Sequence, residues 1–165
     1  MKTINVILIL CLMITSSCGY KIINKIDNSK FEIISIEYKG DSKINKKLNS
    51  FFERFFNNDD ASRFFNIISK SQSIKQVTSK DVSGKESSFS LEIIVTIDVY
   101  ENEKLVNNFS INRKVNYNNL DSKFELKQYE KNLIDDLVSQ ILIDIGTNLS
   151  NIKWLKKVLN SKRLN

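Results

Sequence analysis

The sequence contains no histidine and only four isolated glycines among its 165 residues. Without an imidazole, it has no histidine-based catalytic triad, no histidine metal ligand and no HExxH motif. Gly84 and Gly146 each stand alone, so no glycine-rich loop is present to hold a phosphate. An enzyme that uses two carboxylates alone stays open as an alternative, but no Asp/Glu pair falls in a recognisable cleft pattern.

Cysteine and proline are also scarce, with two cysteines and no proline. Cys11 lies inside the apolar run from Ile4 to Ile14 and behaves there as a small apolar residue. Cys18 is then the one cysteine of the mature chain, so no disulfide is predicted. The formal charge of +6 accompanies a Lys, Asn and Ile bias that also fits an AT-rich genome. It is therefore weak evidence for a polyanionic partner, and no nucleic acid partner is predicted.

The N-terminus has the organisation of an export signal. Lys2 is followed by an apolar run of roughly eleven residues, which suits a signal peptide but is too short for a membrane span of ~20 residues. The small residues Thr15, Ser16 and Ser17 precede Cys18, a pattern similar to a bacterial lipobox, in which the cysteine is acylated and becomes the first residue. Because Thr15 replaces the usual Leu, an ordinary cleaved signal or an uncleaved anchor is the alternative.

Four segments are predicted. Residues 1–17 form the signal peptide, residues 18–30 the lipidated N-terminus with its spacer, residues 31–149 a single α/β sandwich domain, and residues 150–165 a basic amphipathic tail. The mature chain has the length of one domain and can bury about two-thirds of its unfolded surface. No second domain is needed.

Periodicity predicts the order strand, helix, three antiparallel strands, helix. Phe31–Tyr38 is β-branched and aromatic, and it ends at the turn residues Gly40-Asp41. The next segment has helical spacing, with apolar residues on one face at Ile44, Leu48, Phe51, Phe52 and Phe55, and basic residues on its outer faces at Lys43, Lys46, Lys47 and Arg54. The breaking residues 57–60 include the pair Asp59-Asp60, which fits an exposed loop better than an acid site.

Three strands are predicted after this break. Arg63–Ser83 reads as one long strand, exposed or bulged, that ends in a turn at Ser83-Gly84-Lys85. The next two alternate strictly, with apolar residues of one face at Phe89, Leu91, Ile93, Val95, Ile97 and Val99, and then at Leu105, Phe109, Ile111, Val115 and Tyr117. A turn at Glu101–Lys104 joins them. Arg113 interrupts the second apolar face, which places it at the sheet margin, where its charge reaches water.

A long helix closes the chain. Ser122 and Glu125 have capping-box spacing, and the apolar stripe that follows predicts a helix of roughly twenty residues ending near Gly146. Asp135-Asp136 fits a solvated helix face. The tail beyond has its own amphipathic spacing and either docks on the domain, the favoured interpretation, or lies on an anionic membrane surface.

The predicted fold class is α+β: two helices packed on one face of a four-stranded, mainly antiparallel sheet (β-α-β-β-β-α), plus a short C-terminal amphipathic helix. This order, together with Cys18-Gly19-Tyr20 and the passage Arg113–Asn119 leading into Leu126–Glu130, resembles the LPS-assembly lipoprotein family, LptE. Lys127 and Glu130 match a Lys-x-x-Glu step at the opening of the family's long helix. The similarity spans nearly the whole mature chain, as a pattern of residue types.

The resemblance implies a non-enzymatic plug and chaperone. Members of the family sit inside the outer-membrane barrel LptD, support its assembly and bind lipopolysaccharide on its way to the cell surface. It implies that Lys85 and Lys127 contact lipopolysaccharide, with solvated surface lysines as the alternative. It also implies no catalytic residue, no metal and no cofactor apart from the lipid on Cys18. Gly19 is not acidic, which favours the outer membrane, with the domain on the periplasmic side.

Two other functions stay open. The first is a lipoprotein pilot for a different outer-membrane complex, such as a secretin, and the second is a small periplasmic hydrolase that uses Asp and Glu alone. The protein that co-purifies with the chain discriminates the two lipoprotein hypotheses. A concave cluster of carboxylates with raised pKa values would favour the hydrolase.

Overall fold

The computed structural model describes residues 31–161, with side chains described as far as residue 152. Its elements in chain order are β1 (Glu32–Gly40), α1 (Ser42–Phe52) with a 3-10 turn (Glu53–Phe55), β2 (Phe64–Lys80), β3 (Glu86–Glu101), β4 (Lys104–Asn118) and α2 (Lys123–Ser161). The predicted element order is confirmed. The predicted signal peptide, Cys18 and the spacer lie outside the described residues.

The four strands form one sheet in the order β1-β2-β3-β4. β1 pairs parallel with β2, whereas β2 with β3 and β3 with β4 pair antiparallel. Parallel neighbours need a crossover connection, and α1 provides it. The α+β class with a mainly antiparallel sheet is confirmed, and the sheet is mixed because of β1.

The two predicted turns are present. In the turn between β2 and β3, the Asp81 carboxylate accepts hydrogen bonds from the backbone amides of Ser83 and Lys85, both at 2.9 Å. The Ser83 hydroxyl donates to the same carboxylate, and these bonds hold the pKa of Asp81 below its usual range. The turn between β3 and β4 places Asn102 and Glu103 at positive φ, as tight hairpin turns require.

β2 is long and irregular, as predicted, with register shifts against β3 between Val77 and Lys80. Its first half is central in the sheet, because β1 pairs with it from Phe64 to Ser71. Its second half, from Gln72 to Lys80, extends past β1 and forms an edge. The exposed position predicted for β2 therefore applies to its second half only.

Both helices cover one face of the sheet. α1 buries its apolar stripe, and its phenylalanines join those of the strands in a cluster made of Phe31, Phe51, Phe52, Phe55 and Phe65. The rings of Phe31 and Phe55 stack at 5.3 Å between centroids. α2 lies beside α1 on the same sheet face and buries a second apolar stripe, formed by Leu137, Val138, Ile141, Ile145, Leu149 and Ile152.

α2 begins as predicted, since the Ser122 hydroxyl accepts a hydrogen bond from the amide of Glu125. The predicted end near Gly146 is wrong, because the helix continues to Ser161. Gly146 is itself buried, and the apolar stripe continues past it at Leu149 and Ile152. Burial of that stripe outweighs the cost of about 1 kcal/mol for glycine in a helix. The predicted C-terminal helix is therefore present as a continuation of α2.

Arg113 lies where its charge predicted it, on the edge strand β4. Its guanidinium forms an ion pair with Asp144 of α2, and both side chains are partly exposed. This pair joins the edge of the sheet to the long helix.

Candidate ligand-binding groove

A groove runs between α1 and α2 on the helical side of the molecule. It has a volume of about 760 Å³, and ten residues of the two helices line it: Lys43, Lys46, Lys47, Phe124, Lys127, Gln128, Glu130, Lys131, Ile134 and Asp135. We call it the helix groove. Its volume falls within the range of roughly 300–1,000 Å³ that is usual for small-molecule sites.

The wall contributed by α1 follows from how that helix packs. Ile44 and Leu48 are fully buried against the sheet. Side chains three and four residues apart lie on one side of a helix, so Lys43, Lys46 and Lys47 form a basic row beside the buried stripe. Asp41 caps this helix by accepting hydrogen bonds from the amides of Lys43 and Ile44. The cap fixes the start of the basic row.

The wall contributed by α2 has the same spacing. Lys127 and Lys131 are four residues apart, and Phe124 and Ile134 flank them. The Phe124 side chain is 79% exposed, although it is aromatic. An exposed aromatic ring next to lysine stems provides apolar surface below the charged ammonium groups. The helix groove is therefore amphiphilic.

The charge of the helix groove is positive. Its two carboxylates already have partners: Asp135 pairs with Lys47 at 3.0 Å, and Glu130 accepts from Lys75 at 2.6 Å. The other four lysines form no ion pair within residues 31–152; they are Lys43, Lys46, Lys127 and Lys131. The groove thus presents four ammonium groups with no counterion from the described side chains.

A polar network fixes the α2 wall against the sheet. The hydroxyl of Tyr117 on β4 donates to the Glu130 carboxylate at 2.7 Å. Burial and the neighbouring Glu130 both raise the pKa of Tyr117, so the phenol keeps its proton at neutral pH. Lys75, which also binds Glu130, lies 4.1 Å from the centre of the Phe89 ring. These contacts set the position of the turn of α2 that carries Lys127 and Lys131.

The two lysines implied by the resemblance occupy different places. Lys127 lines the helix groove, whereas Lys85 lies in the turn between β2 and β3 and is not among the groove residues. Both belong to the same end of the molecule, because the amide of Asn119, just before α2, donates to the carbonyl of Ser87 at 2.9 Å. Their contact with lipopolysaccharide stays a prediction, as does the lipid on Cys18.

The carboxylate pairs of the sequence do not form an acid site in the described structure. Asp135 is engaged by Lys47, Asp136 is exposed on α2, and Asp59 and Asp60 lie exposed in a turn. Within residues 31–161, no group of three or more His, Cys, Asp or Glu side chains is placed to hold a metal ion. In the same part of the chain, no helix has both the length and the apolar character needed to cross a membrane.

The α1 lysines were not predicted to be site residues from the sequence pattern. Lys43, Lys46 and Lys47 appeared there as the solvated outer face of α1. The signal was present in their spacing, which repeats that of Lys127 and Lys131. The two basic rows face each other because α1 and α2 are neighbours on one face of the sheet. The residue pattern of a single helix does not indicate which helix lies beside it.

No protein-family model and no curated protein sequence matches the chain. Solved structures do match. A minor lipoprotein from Acinetobacter baumannii matches with a TM-score of 0.55 and 13% identity, over 76% of this chain and 93% of that chain. Lipoprotein B from Nitrosomonas europaea matches with a TM-score of 0.55 and 17% identity, over 82% of this chain and 92% of that chain, and a putative lipoprotein from Caulobacter crescentus with a TM-score of 0.51 and 12% identity, over 80% of this chain and 93% of that chain. At these identities the similarity establishes the fold.

The chain therefore has an α+β fold found in bacterial lipoproteins. All three of these structural neighbours are described as lipoproteins, and the one from Nitrosomonas europaea is described as lipoprotein B. The resemblance read from the sequence is confirmed at the level of fold.

Proposed function

We propose that this protein is a non-enzymatic outer-membrane lipoprotein that supports assembly of the LptD barrel and binds lipopolysaccharide. The observation that carries the proposal is the helix groove, with four lysines that form no ion pair with the described side chains, around an exposed aromatic ring. Phosphate groups of a glycolipid bind ammonium groups, and its acyl chains match the apolar surface of Phe124 and Ile134. The fold shared with lipoprotein B from Nitrosomonas europaea supports the lipoprotein part of the proposal.

The sheet face opposite the helices supports a place inside a barrel. It carries polar side chains in contact across strands, such as Thr96 with Ser110 at 3.1 Å. Asp98, on the same face, binds Lys70 at 2.9 Å and accepts a hydrogen bond from Asn108. The bond from Lys70 holds the pKa of Asp98 below its usual range. The lumen of an outer-membrane barrel is polar, so this face is suited to it.

The anchor completes the proposal. Acylation of Cys18 would hold the domain at the outer membrane on its periplasmic side, and Gly19 lacks the acidic character that favours retention at the inner membrane. No catalytic residue and no cofactor beyond this lipid is part of the proposed function.

Neutralising the α2 wall tests the glycolipid site. We expect Lys127→Gln with Lys131→Gln to weaken lipopolysaccharide binding roughly 30-fold, since each lysine near an anionic lipid contributes about 1 kcal/mol. Equilibrium binding of labelled lipopolysaccharide measures the effect. Both lysines are exposed, so the unfolding midpoint should stay unchanged. Lys85→Gln is measured alongside, because the resemblance implies that position.

The matched control is Lys104→Gln with Lys114→Gln, two exposed lysines outside the helix groove. It removes the same charge from a different surface. An equal loss of affinity in the control would show that binding follows net charge alone and would remove the groove from the proposal.

A partner experiment tests the barrel assignment separately. We expect the chain, extracted from membranes with a mild detergent, to co-purify with the LptD barrel, and the polar sheet face to form part of the contact. Recovery of a secretin in place of LptD would replace the proposed function with that of a pilot lipoprotein. Exchange of Thr96 and Ser110 for lysine adds charge to that face, and it should reduce co-purification while lipopolysaccharide binding persists.

A further inference from the structure

A second hollow continues the helix groove along α1. It has a volume of about 410 Å³, and its lining consists of Lys46, Lys47, Ser50, Phe51, Arg54, Ser139 and Leu142. Lys46 and Lys47 belong to both spaces. The ion pair between Lys47 and Asp135 lies at their boundary. The second hollow is thus an extension of the helix groove between the same two helices.

Arg54 is held in place at this end of the groove. Its Nε donates to the carbonyl oxygen of Phe51 at 2.8 Å. Its guanidinium carbon lies 4.2 Å from the centre of the Phe51 ring, within the range of a cation–π contact. No carboxylate pairs with Arg54 among the side chains of residues 31–152. A guanidinium fixed in this way has lost part of its conformational freedom before any ligand arrives.

The rest of the lining has the properties of an anion site. No carboxylate contributes to it, so its charges are those of two lysines and one arginine. Phe51 and Leu142 supply an apolar floor. The hydroxyls of Ser50 and Ser139 donate to carbonyls of their own helices, so their protons are already engaged. Recognition of an anion here therefore depends on Arg54 and Lys46.

We infer that the second hollow is a subsite for a second anionic group of the amphiphile whose first phosphate binds in the helix groove. This inference rests on the proposed function. Lys43 and Arg54 are separated by eleven positions along α1 and its 3-10 turn, which places their Cα atoms roughly 16 Å apart along the helix axis, at about 1.5 Å per residue. The ligand class is therefore a lipid that carries two phosphates, or a phosphate and a carboxylate, at the two ends of a rigid polar body.

The test compares ligands that differ in one phosphate. We expect the full chain to bind diphosphoryl lipid A roughly tenfold more tightly than monophosphoryl lipid A, because a hydrogen-bonded charge pair has about that effect on affinity. Arg54→Gln should reduce this preference to about twofold or less and leave the affinity for the monophosphoryl form unchanged. Arg54→Lys keeps the charge but not the fork geometry, and it should give an intermediate preference.

The controls separate this subsite from the groove itself. The unfolding midpoint of Arg54→Gln is measured because Arg54 bonds to the end of α1. If the glutamine variant is unstable, the ligand preference is measured on Arg54→Lys. Lys104→Gln, outside both spaces, should keep the full preference. Cardiolipin carries its two phosphates on the outer carbons of one three-carbon glycerol, which holds them closer together than the roughly 16 Å between the Cα atoms of Lys43 and Arg54, so Arg54→Gln should not change its binding.

The outcomes are distinguishable. An unchanged preference in Arg54→Gln and Arg54→Lys overturns the second subsite and leaves the lipopolysaccharide proposal standing, provided that the α2 lysine variants lose affinity. Arg54-dependent binding of cardiolipin overturns the inferred spacing. Failure of the wild-type chain to bind either form of lipid A overturns the subsite and the proposed function together.

Discussion

Gly40→Ala is expected to lower the free energy of unfolding by about 3–5 kcal/mol. Gly40 has φ of +94°, a conformation that costs a residue with a side chain about 1–3 kcal/mol. A Cβ atom at this position would also lie 1.8 Å from the carbonyl oxygen of Ser71. β1 would have to separate from β2 at the end of their parallel pairing, with loss of the bond from the Asp41 amide to the same oxygen.

Gly84→Ala is the matched control for this prediction. Gly84 also has positive φ, at +82°, but no atom lies within 4 Å of the position of its Cβ. The control therefore measures the conformational cost alone, and we expect a loss of about 1 kcal/mol. Denaturant unfolding of both variants gives the two values. If the two variants lose the same free energy of unfolding, the close approach of β1 to β2 does not constrain position 40.

Phe52→Ala is expected to destabilise the fold by about 3–5 kcal/mol, the usual cost of removing a buried aromatic ring. Phe52 is fully buried at the end of α1. Its ring contacts that of Phe51 edge-on at 5.4 Å between centroids, and that of Phe55 lies at 6.5 Å. Phe52 belongs to the hydrophobic core between the helices and the sheet, so the cavity would form beneath the end of α1.

The control for the core prediction is Phe64→Ala at the start of β2. Phe64 is 49% exposed, so removal of its ring should change the free energy of unfolding by about 1 kcal/mol or less. Thermal and denaturant unfolding of the two variants provide the comparison. A loss of about 1 kcal/mol for both would mean that the phenylalanine cluster repacks around the missing ring.

The order of elements could be predicted because each element has its own apolar period. The alternating residues from Phe89 to Val99 specify one strand with one buried face, and all of them are buried in the structure. The helical spacing of α1 is equally clear. The pairing of β1 was not contained in these patterns. Alternation specifies the buried face of a strand but not its neighbour, and the parallel pairing with β2 depends on the crossover through α1.

The end of α2 illustrates the opposite case, in which a local signal was present and tertiary packing overrode it. Gly146 near Asn148 is typical of a helix end. In the fold, Ile145 and Leu149 are both fully buried, so the helix continues where the core continues. A helix boundary depends on the surface beneath it, and that surface is formed by strands distant in sequence.

The candidate site was predicted only in part, for a similar reason. Lys127 was identified through a resemblance, and it does line the helix groove. The α1 lysines and Arg54 were not identified, because each basic row seen alone is a solvated helix face. They become a site only when α1 and α2 lie side by side and leave a space between them.

The direction of β1 has a consequence for how a tethered domain would present its groove. The chain enters the described fold at Phe31, and β1 then extends about 30 Å, at 3.3 Å per residue, before α1 begins next to Lys43. The end of the helix groove near Lys43 therefore lies about 30 Å along the sheet from Phe31, which is where a proposed N-terminal tether would join the described fold.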